Sequence, residues 1–510
     1  MRKFHTYLYS TLLCVIFGML AGMTCMGQTT APNASESSAI TSDSVTDKQR
    51  KPGEVEIAFL TCSPGREVHR MYGHTAIRIL SDEEDWAVNF GWFSFNTPGF
   101  VMKFILGLTD YSAAWQTMPL FVYDFARDGM GVTEQRLNLT PTEALRVREA
   151  MMEILVSEGY DEYEVPLKGM DGQVFMQQVI AAKWTYRYNF LYDNCTTRAV
   201  DAIREALMEE GEAIVFPGLD ESTQEITQRE MIHEFTTQSP WYELGQDLML
   251  GPEVDYPHTI AEMVGNWSVC NMGNENIPIT RNFLPIYAQQ FFEKAQIRSI
   301  NGQLRPLVTS TTDLSPFLHR EPNRPAFPLS PMMVAGILLA ATCLFSFGER
   351  KSWTAVADRS RQRAWSIWAN AFDITLLVVL GGVGCILTIL TVWSEHPAVD
   401  INWLTFLFCP AYLLAIVMRF CSKSGDLMAN ATIICAVILT IFFGLTDWQQ
   451  IPGAIMLFAV SVGIRAVVAI GRALRTWEEM PRIWGAVIFI AVYIFLQSLS
   501  YYSVFAAVLS

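Results

Sequence analysis

Charge is scarce in this chain. Of its 510 residues only 17% are Asp, Glu, Lys or Arg, whereas 51% are apolar. That balance excludes intrinsic disorder, collagen and coiled coil, each of which needs a polar or strictly periodic composition. Positive charge is the scarcer sign, with 36 Lys and Arg against 51 Asp and Glu and a net charge of −15. A field of that sign repels polyanions, so no nucleic-acid partner is expected. Cys-x-x-Cys and His-Glu-x-x-His are both missing, and the 7 histidines are not grouped at ligand spacing. A structural zinc site therefore lacks support, and no metal or cofactor is expected.

What charge there is falls unevenly. Residues 28–329 hold 23 Lys and Arg against 42 Asp and Glu, whereas residues 330–510 hold 11 against 9. With a mean hydropathy of +0.23, the chain reads as an acidic, water-exposed head followed by a lipid-exposed tail. Arg2-Lys3, the apolar run from Leu8 to Met23 and the small residues ending at Gly27 have the three regions of a secretory signal, so residues 1–27 are expected to be cleaved, with an uncleaved anchor as the rival reading. Cys25 follows Gly22-Met23-Thr24, which lacks the pattern of a lipid-modified leader. Residues 28–52 are Ser, Thr, Ala, Asn and Asp without hydrophobic period, and are expected to form a disordered tether.

From 53 to 300 the pattern is that of a packed α+β domain. Strand-like runs occupy Val55–Thr61, Thr75–Ile79 and Trp86–Phe95; a helix capped by Thr140 is predicted over Pro141–Ser157, and another starts near Cys195 and runs through Leu207. Residues 301–330, with the Pro-rich stretch Pro322–Pro331, are expected to be a linker. The tail, 331–510, shows six apolar segments at about 331–347, 372–393, 401–420, 429–446, 451–470 and 483–508, each about long enough to cross a bilayer.

Here a second absence is informative. The loops after segments two, four and six contain no Lys or Arg, whereas those after one, three and five carry Arg350, Lys351, Arg359, Arg361 and Arg363, then Arg419 and Lys423, then Arg472, Arg475 and Arg482. The positive-inside rule turns this alternation into one topology, with the head and the C-terminus outside the inner membrane. Arg465, inside the fifth segment, is expected to snorkel to the cytoplasmic face.

Cys14 and Cys25 fall in the signal, and Cys343, Cys385, Cys409, Cys421 and Cys435 in or beside the spans, which leaves Cys62, Cys195 and Cys270 in the head. Three is odd, so at least one thiol is free in an oxidising compartment. Cys195 follows Asp193-Asn194, either of which can cap a helix and place the sulfur in its first turn. The dipole and free N–H groups there favour a thiolate below the usual value of about 8.5 and can hold an oxyanion. A nucleophile also needs a proton acceptor, and His74 is the best placed, opening the strand-like Gly73-His74-Thr75-Ala76-Ile77-Arg78-Ile79. His69, His233 and His258 lack such a context.

Four motifs in order, Cys62-Ser63-Pro64-Gly65, Tyr72-Gly73-His74-Thr75-Ala76-Ile77-Arg78, Asn89-Phe90-Gly91-Trp92-Phe93-Ser94-Phe95 and Asp193-Asn194-Cys195-Thr196-Thr197, resemble the exported domain of the Lnb-type lipoprotein N-acyltransferases of Bacteroidetes. The resemblance covers about Val55 to Ile300 by motif and the whole chain by layout. It implies a permuted papain-like (NlpC-type) domain, in which the His strand precedes the Cys helix, followed by an all-α membrane domain. It further implies Cys195 as nucleophile and His74 as base, with Asn89 orienting the imidazole. Tyr72, Arg78, Asp193 and Arg198 are expected to line or support the site; for the two arginines, salt bridges compete with binding of a lipid phosphate. The reaction implied moves a fatty acyl chain from a phospholipid, through a thioester on Cys195, to the α-amino group of the lipidated N-terminal cysteine of a lipoprotein. Membrane, phospholipid donor and lipoprotein acceptor are the expected partners. Trp92, Phe93, Phe95 and Phe100 are expected to be core or an apolar entrance. Two rival readings are a membrane-anchored thiol peptidase or amidase acting on cell-wall peptides, and a non-enzymatic receptor in which Cys195 is bridged to Cys62 or Cys270.

Overall fold

In the computed structural model, residues 53–67, 70–93, 100–168, 174–265, 282–315, 327–354, 359–475 and 484–500 are described. The expected signal and tether, His69, Phe95 and Cys270 lie outside them. Fourteen strands occur among the described residues: Glu56–Cys62 (β1), His74–Leu80 (β2), Asp85–Trp92 (β3), Asp110–Thr117 (β4), Val132–Leu137 (β5), Tyr160–Lys168 (β6), Val174–Ala182 (β7), Tyr186–Arg187 (β8), Ala213–Val215 (β9), Glu225–Thr227 (β10), Pro257–Thr259 (β11), Gln296–Arg298 (β12), Leu304–Pro306 (β13) and Val308–Asp313 (β14). The main sheet runs β14-β5-β1-β2-β3-β4-β7-β6, with β8 paired to β4; β10 and β11 form one small sheet, and β13, β12 and β9 another. The head's helices are Phe100–Ile105 (α1), Met118–Arg127 (α2), Pro141–Ser157 (α3), Cys195–Glu209 (α4), Gln228–Thr236 (α5), Pro240–Met249 (α6), Ile260–Gly265 (α7) and Pro285–Lys294 (α8).

Alternation along the strands decides what covers each face of the sheet. Ile57, Phe59, Ile77, Ile79, Val88 and Phe90 point to one face and pack with Val147 and Met151 of α3 and Ala199 and Ile203 of α4. Leu60, Cys62, Ala76 and Ala87 point to the other and lie under Phe121 and Phe125 of α2. Helix α3 starts as its sequence implies, with Pro141 in the first turn and a reciprocal cap between Thr140 and Glu143. The expected linker needs correction, because β13 and β14 lie inside 301–330 and β14 extends the main sheet by pairing with β5. Its sequence, Val-Thr-Ser-Thr-Thr-Asp, has no apolar period; the backbone ladder, not a buried face, makes it a strand.

The membrane domain comprises Pro331–Thr354 (α9), Arg359–Trp393 (α10), Ala411–Cys421 (α11), Lys423–Leu445 (α12), Gly453–Arg475 (α13) and Trp484–Ser500 (α14). Four of these, α9, α10, α12 and α13, are long and apolar enough to cross a bilayer, whereas Ala411–Cys421 and the apolar stretch Gly485–Gln497 in α14 are shorter. The expected third span is therefore only half a helix, since the 11 residues of α11 reach about 16 Å. Pro410 sits at the start of α11, and the residues before it form short 3-10 turns at Pro397–Val399 and Trp403–Thr405. Counting apolar residues alone missed that Asn402, inside this segment, is spent on other contacts.

Those contacts dock the head. Asn402 Nδ2 donates to the carbonyls of Leu248 and Met249 at the end of α6 (2.8 and 3.2 Å), and Gln449 Nε2 donates to that of Leu250 (3.1 Å). The Gly251 N–H donates to Ala398 O, and the Gln450 N–H to Asp255 Oδ2. On the head side Arg229, fully buried, binds Asp247 at 2.8 Å, Asp255 at 2.5 Å and the carbonyls of Leu250 and Gly251. The head thus touches the α10–α11 and α12–α13 connections, the same two that lack Lys and Arg.

Arg465 does not snorkel. It is 2% exposed, and its guanidinium binds Asp373 (2.7 Å) on α10 together with Glu349 (2.8 Å) and Ser346 (3.2 Å) on α9. Arg472 binds the same two carboxylates, at 2.6 and 2.8 Å, and Arg419 bridges Asp373 and Asp426. Three arginines and three carboxylates tie α9 to α13 together at the end away from the head. A buried charge is tolerable only when so paired.

Candidate active site

Cys195 is the first residue of α4, and Asn194 is its cap. Asn194 Oδ1 accepts from the N–H groups of Thr196 and Thr197 (2.8 and 3.0 Å), and its Nδ2 donates to Phe190 O and Phe283 O. The cap thus uses two of the amides expected to be open. The Cys195 N–H stands at the same helix start, in the first turn, where backbone donors have no intrahelical acceptor and can meet a developing oxyanion.

Burial pushes the Cys195 thiol up, but the His74 charge beside it, a hydrogen bond to His74, the Thr75 N–H and the Thr196 hydroxyl together outweigh burial and hold it below the ordinary thiol range. Thr196 Oγ1 in turn meets Thr75 Oγ1 at 3.0 Å, so the helix start is pinned to the second residue of β2.

His74 opens β2 from the opposite face of the sheet. Gly73 before it has φ +83°, and a Cβ there would come within 2.4 Å of Cys62 O, so only glycine lets the strand start this close to β1. The imidazole stacks on Phe125 of α2 (5.3 Å, 17°) and its Nε2 meets Asn89 Oδ1 at 2.9 Å. With Nε2 engaged, Nδ1 is left for the sulfur. Cys195, His74 and Asn89 are thus brought together.

The four other expected site residues are placed further out. Tyr72 hydrogen-bonds Gln246 of α6 and packs edge-on against Phe235. Arg78 lies four residues along β2 from His74 and is held by Asp85 (2.8 Å) and Glu134 (2.5 Å). Asp193 and Arg198 pair at 2.5 Å, and Arg198 lies over the rings of Tyr186 (3.8 Å) and Trp184 (5.1 Å). Of the expected entrance aromatics, Trp92 is exposed and Phe93 packs on Tyr111. His233, set aside in sequence, binds Asp247 at 2.8 Å near the dock.

Several neighbours of the sulfur were not anticipated. Tyr111 and Tyr188 stack at 4.4 Å, and the hydroxyls of Tyr111, Tyr186 and Tyr188 are all held protonated, by burial first and, among the charges around them, by the Cys195 sulfur. The spacing Trp184, Tyr186, Tyr188, Phe190, Tyr192 before Cys195 was the available signal. Cys62, opposite His74 in the β1–β2 ladder, is a free thiol pushed up by burial and by Cys195. Cys195 is also free, so Cys195 and Cys62, one of the two bridges the receptor reading offered, are not joined; Cys270, the other, lies outside the described residues.

A helical domain with four helices long and apolar enough to cross a bilayer, docked against an α+β head that carries a hydrogen-bonded cysteine–histidine pair, defines a membrane-anchored protein with a folded head. The family model described as the Lnb N-terminal periplasmic domain matches residues 42–214, and that described as the Lnb transmembrane domain matches residues 322–476. The chain is an Lnb-type protein, with both domains of the family in order, and that membership implies a membrane-associated periplasmic enzyme of the inner membrane. No curated protein and no solved structure matches it.

Proposed function

We propose that this protein is a lipoprotein N-acyltransferase with a permuted papain-like head, in which Cys195 is the nucleophile, His74 the base and Asn89 the group that orients the ring. The observation that carries the reading is the Cys195–His74–Asn89 chain at the start of α4, in a chain of Lnb type. The Cys195 thiolate attacks the ester carbonyl of a phospholipid, and the Cys195 N–H meets the oxyanion. As the carbon–oxygen bond breaks, His74, holding the proton of the thiol, passes it to the departing lysophospholipid alkoxide. The α-amino group of a diacylglyceryl-cysteine then attacks the thioester, His74 takes its proton, and the carbon–sulfur bond breaks to leave an amide and the thiolate. The membrane domain supports this order of events, because both substrates live in the outer leaflet and a head docked there meets them at high effective concentration.

Six crossings, with α11 and α14 completing the four long spans, and a periplasmic C-terminus belong to the same proposal; the Lys/Arg alternation supports them. The test is cellular. In cells lacking other N-acylation, Cys195→Ser and His74→Ala are expected to leave lipoprotein N-termini with a free amine, read by mass spectrometry. Unchanged N-acylation in either variant overturns the reading, and loss of peptide cleavage instead would establish the peptidase.

A further inference from the structure

Asn89 does not act alone. Its Nδ2 donates to Gln116 Oε1 at 2.9 Å, and Gln116 Nε2 donates to Asp124 Oδ2 at 3.1 Å. The path crosses three adjacent strands diagonally on one face, from His74 on β2 to Asn89 on β3 to Gln116 on β4, and ends on α2, which covers that face. Asn89 and Gln116 are 5% and 6% exposed, so water does not compete for their amides.

A carboxamide has an accepting end and a donating end of nearly the same shape. If Asn89 presents its oxygen, His74 carries its proton on Nε2 and offers a bare Nδ1 to the thiol; if it presents its NH2, His74 must accept at Nε2, and the nitrogen facing sulfur carries the proton and cannot act as base. Gln116 does not distinguish these two senses, because reversing it together with Asn89 leaves every bond between them intact, and Asn89 distinguishes them only through a long 3.4 Å bond from its Nδ2 to Ala87 O. Asp124 does distinguish them, since an ionised carboxylate only accepts. Burial raises the Asp124 carboxyl above its ordinary value and Asp128 adds to that, while Arg127, the hydrogen bond from Gln116 and Arg70 act in favour of its charge.

We propose that Asp124, acting through Gln116, is the positioning residue that fixes the sense of the whole chain and with it the tautomer of His74. This rests on the reading of Cys195 and His74 as nucleophile and base. A merely structural Asp124 predicts loss of stability; a polarity-setting Asp124 predicts loss of thiol reactivity that returns when an acceptor-only group is placed elsewhere on the path.

The experiment measures alkylation of Cys195 by iodoacetamide against pH in the full-length protein in detergent micelles, with the modified peptide identified by mass and folding checked by thermal unfolding. Asp124→Asn, which preserves shape, is expected to slow alkylation at neutral pH roughly tenfold and to move the profile to higher pH, as a wrong tautomer does in a triad. Combining Gln116→Glu with Asp124→Asn restores the acceptor-only group one link closer and is expected to return the profile to that of the unaltered protein. Asp124→Asn alkylating as fast as the parent, or a double variant no better than the single, overturns the proposal. If His74→Ala also leaves the profile unchanged, the nucleophile–base reading falls with it; if His74→Ala abolishes reactivity at neutral pH while Asp124→Asn does not, only the role of Asp124 falls.

Discussion

The two buried polar chains of this molecule are made of different materials. At the head, His74, Asn89 and Gln116 are joined by neutral amides, and a single carboxylate, Asp124, stands at the far end. In the membrane domain, Arg419, Arg465 and Arg472 face Glu349, Asp373 and Asp426 in a network made mainly of ion pairs. Amides have direction but little charge, so the first chain transmits which end donates. Ion pairs have strength but loose direction, so the second holds helices against one another where no hydrophobic force does so. One is suited to setting a proton's position, the other to holding a scaffold.

Breaking each chain is expected to affect different properties. The largest effect falls on chemistry: Cys195→Ser and His74→Ala are expected to lower acyl transfer by about a thousandfold or more while unfolding stays within ~1 kcal/mol of the parent, as checked by lipid-transfer assay and thermal unfolding side by side. The same substitution of His74 removes the two largest effects that depress the thiol and leaves burial, which raises it, opposed only by the Thr75 N–H and the Thr196 hydroxyl. Thiolate is lost as pH falls through the thiol's pKa, so in the unaltered protein reactivity persists below the ordinary thiol range, and in His74→Ala it appears only at higher pH.

Arg465→Met leaves Glu349 to Arg472 and Asp373 to Arg472 and Arg419, and is expected to cost about 3 kcal/mol, the low end for a broken buried pair, read as early unfolding of the membrane domain in detergent; an equally stable variant would mean the Arg465 ion pairs hold nothing. Gln449→Ala takes one donor from Leu250 and from the Asn402 cluster. A loss of about 1–3 kcal/mol, confined to the dock, should appear as faster hydrogen exchange at the end of α6.

The smallest effect is at Asp400, pushed up to about 6 by burial and then by Glu253, which itself accepts from Tyr192 three residues before Cys195. A carboxyl with a raised folded pKa favours folding below its unfolded pKa, and that contribution is lost as pH rises through about 6. Asp400→Asn is therefore expected to raise the melting temperature by roughly a few degrees at pH 7 and not at pH 4, by a thermal scan at each pH.

How much of this was legible depended on whether the deciding physics was local. The helix cap and Cys195 in the first turn are matters of a few residues, and of the two caps the sequence offered, Asp193 and Asn194, the structure uses Asn194. The loops without Lys or Arg were informative because they report topology, and the head docks on those that follow α10 and α12. Gln116 and Asp124 gave no sign, because their alignment with His74 arises from strand register and from a helix laid over the sheet. Arg465 was misread since its partners lie about a hundred residues away on other helices. The half-helix at α11 escaped because apolar counting ignores where Pro410 and Asn402 interrupt it.

The most direct test of the central claim is the acyl-enzyme itself. Full-length protein mixed with phospholipid and no amine acceptor, then digested and weighed, is predicted to carry one fatty acyl group on the Cys195 peptide, released by neutral hydroxylamine and absent in His74→Ala. An acyl group on another residue, or transfer that continues in Cys195→Ala, would contradict the account.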